Sequence, residues 1–214
     1  MRRLPLVGDE EDPMAHVHAH TPFAPLGIAV LTVSDTRGFD EDGSGDLLSA
    51  RLTDAGHALV ERRIVPDDIY RIRAVVSKWV IRDDIQVVLV NGGTGFTLRD
   101  TTPEALTPLF DKAIDGYGEL FRQLSYQSIG TSTVQSRAVA GVIDRTLVFA
   151  MPGSPKACAT AWDGILAEQL DARTRPCNFV AMVLPQGASC ASRQPDTAPR
   201  EAPIETESGA EVDA

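Results

Sequence analysis

The chain has 214 residues, with 20 Lys and Arg against 30 Asp and Glu, giving a net charge of −10. This length suits one domain with or without tails and is ample for a hydrophobic core. The acidic balance excludes a sequence-general nucleic-acid binder, which needs a basic surface, and no apolar run approaches the ~20 residues that span a bilayer.

The acid is unevenly placed. Residues 1–25 hold Asp9, Glu10, Glu11 and Asp12 against Arg2 and Arg3, and residues 185–214 hold six acids against Arg193 and Arg200. The same two segments carry eight of the 14 prolines and few large apolar residues. They read as disordered tails around a single domain over residues 26–184. Pro5, Gly8 and the acidic run interrupt any signal-peptide apolar region, so a cytoplasmic location is expected. Cys158, Cys177 and Cys190 are few, odd in number and without metal-ligand spacing, as for reduced thiols. No His stands near any of them in sequence to activate a thiolate.

Gly27–Ser34 (GIAVLTVS) is a continuous β-branched apolar run, which predicts a strand buried on both faces. A Gly- and Asp-rich loop follows, then a helix over Leu47–Ala55 that Gly56 ends. His57–Val65 alternates as a second strand. After Pro66-Asp67-Asp68 comes a helix with Ile69, Ile72, Val76 and Val80 on one face. Val87–Val90 is a third apolar strand, leading straight into Asn91-Gly92-Gly93-Thr94-Gly95. Further helices are predicted from about Pro103 and over roughly Glu119–Tyr126. Arg137–Ile143 and Thr146–Met151 read as strands joined at Asp144-Arg145. Pro152-Gly153-Ser154-Pro155-Lys156 then leads into a helix to about Leu170, with Cys158, Ala161, Ile165 and Gln169 along one side. Apolar strands alternating with helices predict a three-layer α/β/α sandwich on a mostly parallel sheet.

Ligands in open α/β sheets bind beyond the carboxyl ends of the strands. Three strand-to-loop junctions carry unusual residues there. In NGGTGFTLRDTTPEA (Asn91–Ala105), Gly92, Gly93, Thr94 and Gly95 let the backbone approach a ligand and turn its amides inward, as an anion cradle requires. The helix that follows is expected to add its positive end. Thr102-Pro103 fits an N-cap, and Thr101-x-x-Glu104 a capping box one residue earlier. A tight turn that merely starts a helix is the plainer reading, and it explains Asp100 least. A carboxylate beside bound phosphate repels it unless a cation intervenes, which points to Mg²⁺; a solvated loop acid is the alternative.

The second junction is AMPGSPKA (Ala150–Ala157). Lys156 in the first helical turn opposes the helix dipole and suits an anionic ligand better than helix stability. Ser154 could cap this helix or contact phosphate. The third is SDTRGFDEDGSGD (Ser34–Asp46), where Asp40, Glu41 and Asp42 read as a solvated acidic loop rather than metal ligands. Asp67, ending the second strand, reads as a helix N-cap or as a second acid sharing a Mg²⁺ site with Asp100. His16, His18 and His20 alternate within a tail and make a weak chelating pattern. His57 reads as structural, and no Ser–His–Asp or Cys–His set is present.

Taken together, VSDTRG…DGSG, VLVNGGTGFTLRDTTPEA and AMPGSPKA, in this order and spacing, resemble the MoaB/Mog family of molybdenum cofactor biosynthesis. The resemblance runs from about Gly27 to Phe179. QSRAVAG (Gln135–Gly141) and LDARTRPCNF (Leu170–Phe179) are similar to the bacterial MoaB branch in particular. It implies a molybdopterin-binding fold assembled as homotrimers or homohexamers, working with other proteins of the cofactor pathway. It also implies adenylylation of the molybdopterin phosphate by Mg²⁺-ATP with release of pyrophosphate, or, alternatively, molybdopterin binding without turnover. Matched by motif, Gly92, Gly93, Thr94 and Gly95 would cradle phosphate or pterin. Asp100 would be the essential acid and Asp67 a second, both also metal ligands. Ser34 and Asp35 would line the pterin side, while Gly153, Ser154 and Lys156 complete the pocket. Phosphoryl-type transfer needs positioning and charge neutralisation more than a strong nucleophile, which agrees with the absence of a catalytic His or Cys.

Overall fold

Apolar side chains on both faces make β1 (Gly27–Val33), β3 (Val87–Asn91) and β6 (Thr146–Met151) the central strands; every residue of β3 and β6 is buried. Side chains alternate across a strand, so each strand supplies two cores. Ile28, Val30, Val87, Leu89, Leu147 and Phe149 enter one; Ala29, Leu31, Val88, Val90, Val148 and Ala150 enter the other. The first is covered by α1 (Gly43–Asp54), α4 (Asp115–Ile129) and α5 (Pro155–Ala161), through residues such as Leu48, Leu52, Phe121 and Ala161. The second is covered by α2 (Ile69–Val80) and α3 (Thr102–Leu106), through Ile72, Val76, Trp79, Ala105 and Leu106. Helices on both faces of one sheet are the expected α/β/α sandwich. This is a computed structural model, and it describes residues 21–184.

The sheet also contains β2 (Ala58–Val65), β4 (Lys112–Ala113) and β5 (Val139–Ile143), in the order β2-β1-β3-β6-β5-β4. β2, β1, β3 and β6 are parallel, with Leu31 level with Val90 and Val90 level with Ala150. β5 and β4 add an antiparallel margin. The three motif-bearing junctions therefore leave the sheet at one edge, as parallel strands require.

Several boundaries differ from the sequence reading, each for a local reason. α1 starts at Gly43 rather than Leu47, because the Asp42 carboxylate accepts the Gly45 amide and caps the helix there. α4 begins before Glu119 without any side-chain cap, so no residue advertised its start, and it ends at Gly130, whose φ is +59°. β4 has two exposed residues and carries no periodic signal. α5 continues through a π-helical turn (Trp162–Leu166) into α6 (Ala167–Gln169). That wider turn rotates the buried face, so Leu166 and Leu170 are buried while Gln169 is only partly so.

The ordered domain begins before residue 26. Phe23 packs at a tilt on His57, 5.2 Å between ring centres, Arg173 lies over the Phe23 ring at 5.2 Å, and Ala24 packs on the first core. The rest of the proposed tails, with His16, His18, His20 and Cys190, lies outside the described residues. No helix among the described residues is long and apolar enough to cross a membrane.

Candidate functional site

The loop after β3 is built on close backbone approach. Gly92 has φ +99° and Gly93 φ +63°, conformations that side chains disfavour. A Cβ on Gly92 would lie 2.2 Å from the Val33 carbonyl oxygen, and one on Gly93 2.4 Å from Asp67 Oδ2. A Cβ on Gly153 would lie 2.9 Å from the Gly92 Cα, so the β3 and β6 junctions touch through bare backbone. Asn91 anchors the loop beneath, its Nδ2 donating to Thr32 Oγ1 at 2.9 Å on β1. The amides of Gly93 and Thr94 meet no protein acceptor among the described residues. Two neighbouring unpaired amides in a glycine turn make a concavity suited to an anion.

The acidic residues take distinct places. The Asp100 carboxylate accepts the Thr97 hydroxyl (2.6 Å) and amide (2.8 Å), which hold its carboxyl below the usual range. It lines the cleft described below. Asp67 is almost fully buried behind the loop, where its Oδ1 accepts the Thr101 amide (2.9 Å) and hydroxyl (2.6 Å). It does not line that cleft, and it is not the cap of α2. That role belongs to Asp68, which accepts the Tyr70 and Arg71 amides. Asp35 receives the Asp67 amide and pairs with Arg99 at 2.5 Å, and the Arg99 guanidinium holds its carboxyl low.

Neither cap expected for α3 forms. The Thr101 hydroxyl goes to Asp67, the Thr102 hydroxyl to the Gly92 carbonyl at 2.9 Å, and the Glu104 carboxylate to Arg137. With only five residues, α3 supplies little dipole, so an anion here would meet the loop amides without the helix end that the sequence suggested. These threonines serve the loop instead.

Together the junctions enclose a cleft of about 500 Å³. Ser34 contributes from β1, Gly92–Gly95 and Asp100 from β3, and Gly153 and Ser154 from β6. The Ser34 hydroxyl accepts the Arg37 amide at 3.1 Å, while Arg37 and Ser44 both donate to the Gly153 carbonyl, at 2.8 and 2.9 Å. Ser154 caps α5, its hydroxyl accepting the Ala157 amide at 3.2 Å. Lys156 lies outside this cleft, on an adjoining cavity of about 130 Å³ that shares Ile129, Ser136, Pro152 and Ser154 with it.

The fourth wall was missed in the sequence. Ile129, Ser132, Gln135 and Ser136 close the cleft from the turn after α4, and the buried Ser136 hydroxyl has no partner in the described structure. Its neighbour Arg137 grips the glycine loop from behind. The QSR of QSRAVAG was the available signal, but nothing in its local pattern brings it to a loop 42 residues away.

One acid contradicts its reading. Asp40 and Glu41 are exposed, but Asp42 is fully buried, accepting the Thr32 hydroxyl at 2.6 Å and Arg62 at 2.8 Å. A cap facing β1 must lie under the helix end, which excludes solvent. His57 is structural, its Nδ1 accepting the Leu26 amide at 3.2 Å. Burial pushes the Cys158 thiol up to about 12, so it is no nucleophile at neutral pH.

Among the described residues no cluster of three or more His, Cys, Asp or Glu could cage a metal. What the cleft offers is one ionised carboxylate beside unpaired amides. That donor set fits Mg²⁺, which keeps its waters and is commonly held by one or two carboxylates plus substrate phosphates.

Residues 29–172 match the family described as "Probable molybdopterin binding domain". Molybdenum cofactor biosynthesis protein B of Escherichia coli K12 is 60% identical over 159 residues, covering 74% of this chain and 94% of that protein. The protein of the same name from Bacillus cereus is 46% identical over 157 residues, covering 72% and 93%. A crystal structure of a molybdenum cofactor biosynthesis protein B superposes with a TM-score of 0.67 at 44% identity, over 69% of this chain and 92% of that one. The chain therefore belongs to the molybdopterin-binding family of molybdenum cofactor biosynthesis proteins and carries its fold.

Proposed function

We propose that this protein is a molybdopterin adenylyltransferase: it binds molybdopterin and Mg²⁺-ATP at the carboxyl edge of its sheet and joins the pterin phosphate to AMP. A phosphate oxygen of molybdopterin forms a bond to the ATP α-phosphorus, the bond from that phosphorus to the bridging oxygen breaks, and pyrophosphate leaves with the electron pair. The observation that carries this reading is Asp100 in the cleft, ionised and held by Thr97, beside the unpaired amides of Gly93 and Thr94. Mg²⁺ would supply charge neutralisation across the phosphates. The chain's own part is positioning. The amides hold phosphate oxygens, Asp100 fixes the cation, and Ser34, Ser132 and Gln135 offer polar groups to the pterin.

Asp67 keeps a role in this scheme through Thr101, which it holds next to Asp100 in the chain, rather than as an open cation ligand. Binding without turnover is the second reading. It is favoured by the single carboxylate lining the cleft, because a binding protein needs no more.

The test is incubation of the purified protein with molybdopterin, Mg²⁺ and ATP, with adenylylated molybdopterin and pyrophosphate measured by chromatography. Product from the native protein and at least about a hundredfold less from folded Asp100→Asn supports the enzyme. Tight molybdopterin binding without ATP consumption supports the second reading, and failure to bind molybdopterin removes both.

A further inference from the structure

Arg137 does not line the cleft, yet its bonds to backbone carbonyls all run to the segment between the glycines and Asp100. Its Nε donates to the Gly95 carbonyl at 2.7 Å and more weakly to the Thr94 carbonyl at 3.4 Å. One terminal nitrogen donates to the Asp100 carbonyl at 2.9 Å, and the other pairs with Glu104. The guanidinium also lies over the Phe96 ring at 5.1 Å. Its side chain is largely buried. It therefore holds the segment from Thr94 to Asp100 at both ends.

A peptide unit is planar, with its carbonyl and the following amide pointing in opposite directions. Drawing the Thr94, Gly95 and Asp100 carbonyls toward one guanidinium turns the Gly95, Phe96 and Thr101 amides away from it, and the Gly95 amide meets the Asp100 carboxylate. The Asp100–Thr101 unit displays this: its carbonyl meets Arg137 while the Thr101 amide meets Asp67 on the other side. Freed of that grip, the peptide units on either side of Gly95 could rotate at low cost, because glycine tolerates both hands of backbone conformation. Carbonyl oxygens would then face the phosphates. The Gly93 and Thr94 amides are set instead by Thr102, whose hydroxyl and amide hold the Gly92 and Gly93 carbonyls.

We propose that Arg137 is a positioning residue that fixes the far half of the phosphate loop, holding the Thr94 and Gly95 carbonyls outward and the Gly95 amide toward Asp100 without touching the ligand. The role rests on the reading of this cleft as the Mg²⁺-ATP and molybdopterin site. It requires the planar fork of arginine, since three carbonyls and one carboxylate spread around it need donors in fixed directions. The single ammonium of lysine supplies charge without that geometry.

The test uses Arg137→Ala, Arg137→Lys and Glu104→Gln in the full-length protein. Mg²⁺-ATP binding is followed by calorimetry, adenylylation by kcat and KM, and loop order by amide hydrogen exchange in ligand-free protein. Arg137→Ala and Arg137→Lys are both expected to weaken Mg²⁺-ATP binding at least tenfold and raise KM more than they lower kcat. Both should speed exchange over residues 93–101. Glu104→Gln, which leaves the carbonyl bonds intact, should change binding less than threefold. Arg137→Lys binding as tightly as native would overturn the proposal, because charge alone would then suffice. So would folded Arg137→Ala with native affinity or with native exchange over 93–101. Native protein that fails to bind Mg²⁺-ATP defeats the functional reading instead, and the exchange measurement still decides whether Arg137 orders the loop.

Discussion

At the amino-terminal edge of the sheet, Arg82, Asp83, Asp144 and Arg145 border a cavity of about 290 Å³; at the carboxyl-terminal edge, Asp100 and the glycine loop border one of about 500 Å³. Both edges are charged. At the first, the arginines are satisfied within the protein: Arg82 pairs with Asp84 at 2.7 Å and Glu61 at 2.6 Å, and Arg145 with Asp83 at 3.4 Å and Asp144 at 3.8 Å. Such surface pairs contribute about 0–1 kcal/mol each and ask for no ligand. At the second, charge is arranged around something left over, the Gly93 and Thr94 amides and the buried Ser136 hydroxyl. Unsatisfied donors held in place by paired neighbours distinguish a site from a charged rim.

The buried pair beneath the carboxyl edge gives the largest expected effect on stability. Asp42→Ala removes the α1 cap and strands Arg62, and should cost about 3 kcal/mol, the low end for a broken buried pair because Arg62 keeps Asp46. Denaturant unfolding measures it, and a loss under 1 kcal/mol would mean that the pair is not the anchor of this edge. Next comes activity. Asp100→Asn should lower adenylylation by about a hundred- to a thousandfold, the scale of losing one electrostatic contact to a transition state. Because Asp100 is held below the ordinary carboxylate range, Mg²⁺-dependent nucleotide binding should persist to about pH 5 and weaken only below the normal carboxylate pKa of about 3.9. Loss of binding already at pH 6 would assign the cation to another group.

A smaller effect concerns the margin of the domain. Burial lowers the His57 pKa, so its neutral form contributes stability that is fully present above the unfolded value of about 6.5 and declines as pH falls below it. Melting temperature should therefore drop between pH 7.5 and 5.5, and His57→Gln should flatten that slope. An unchanged slope would show that other groups carry it. Smallest of all is Arg145→Ala at the amino edge, expected to change stability by less than about 0.5 kcal/mol and activity not at all. A large loss of activity there would erase the contrast between the edges.

Much of the site was legible in the chain. Gly92, Gly93, Gly95 and Asp100 stand in one short segment after an apolar strand, and Gly153 and Ser154 after another. Parallel pairing then carries both to the same edge. The wall from Ile129 to Ser136 and the grip of Arg137 were not legible, because they arrive through a turn and an antiparallel hairpin whose register leaves no local pattern. Caps misled for a related reason. Thr101, Thr102 and Glu104 have the residue types of a helix start, but Asp67, the Gly92 carbonyl and Arg137 compete for them from elsewhere in the fold.

Hydrophobic runs and their period thus determined the sheet, its layers and the edge where the three junctions meet, since side-chain burial follows local sequence. The tertiary structure alone decided which acid lines the cleft. Asp67 and Asp100 look alike in sequence, and so do Asp40 and Asp42. What separates them is the donor that reaches each from a distant strand or loop: Thr101 for Asp67, Thr32 and Arg62 for Asp42. Electrostatic partners are chosen by distance in space, and only folding sets that distance.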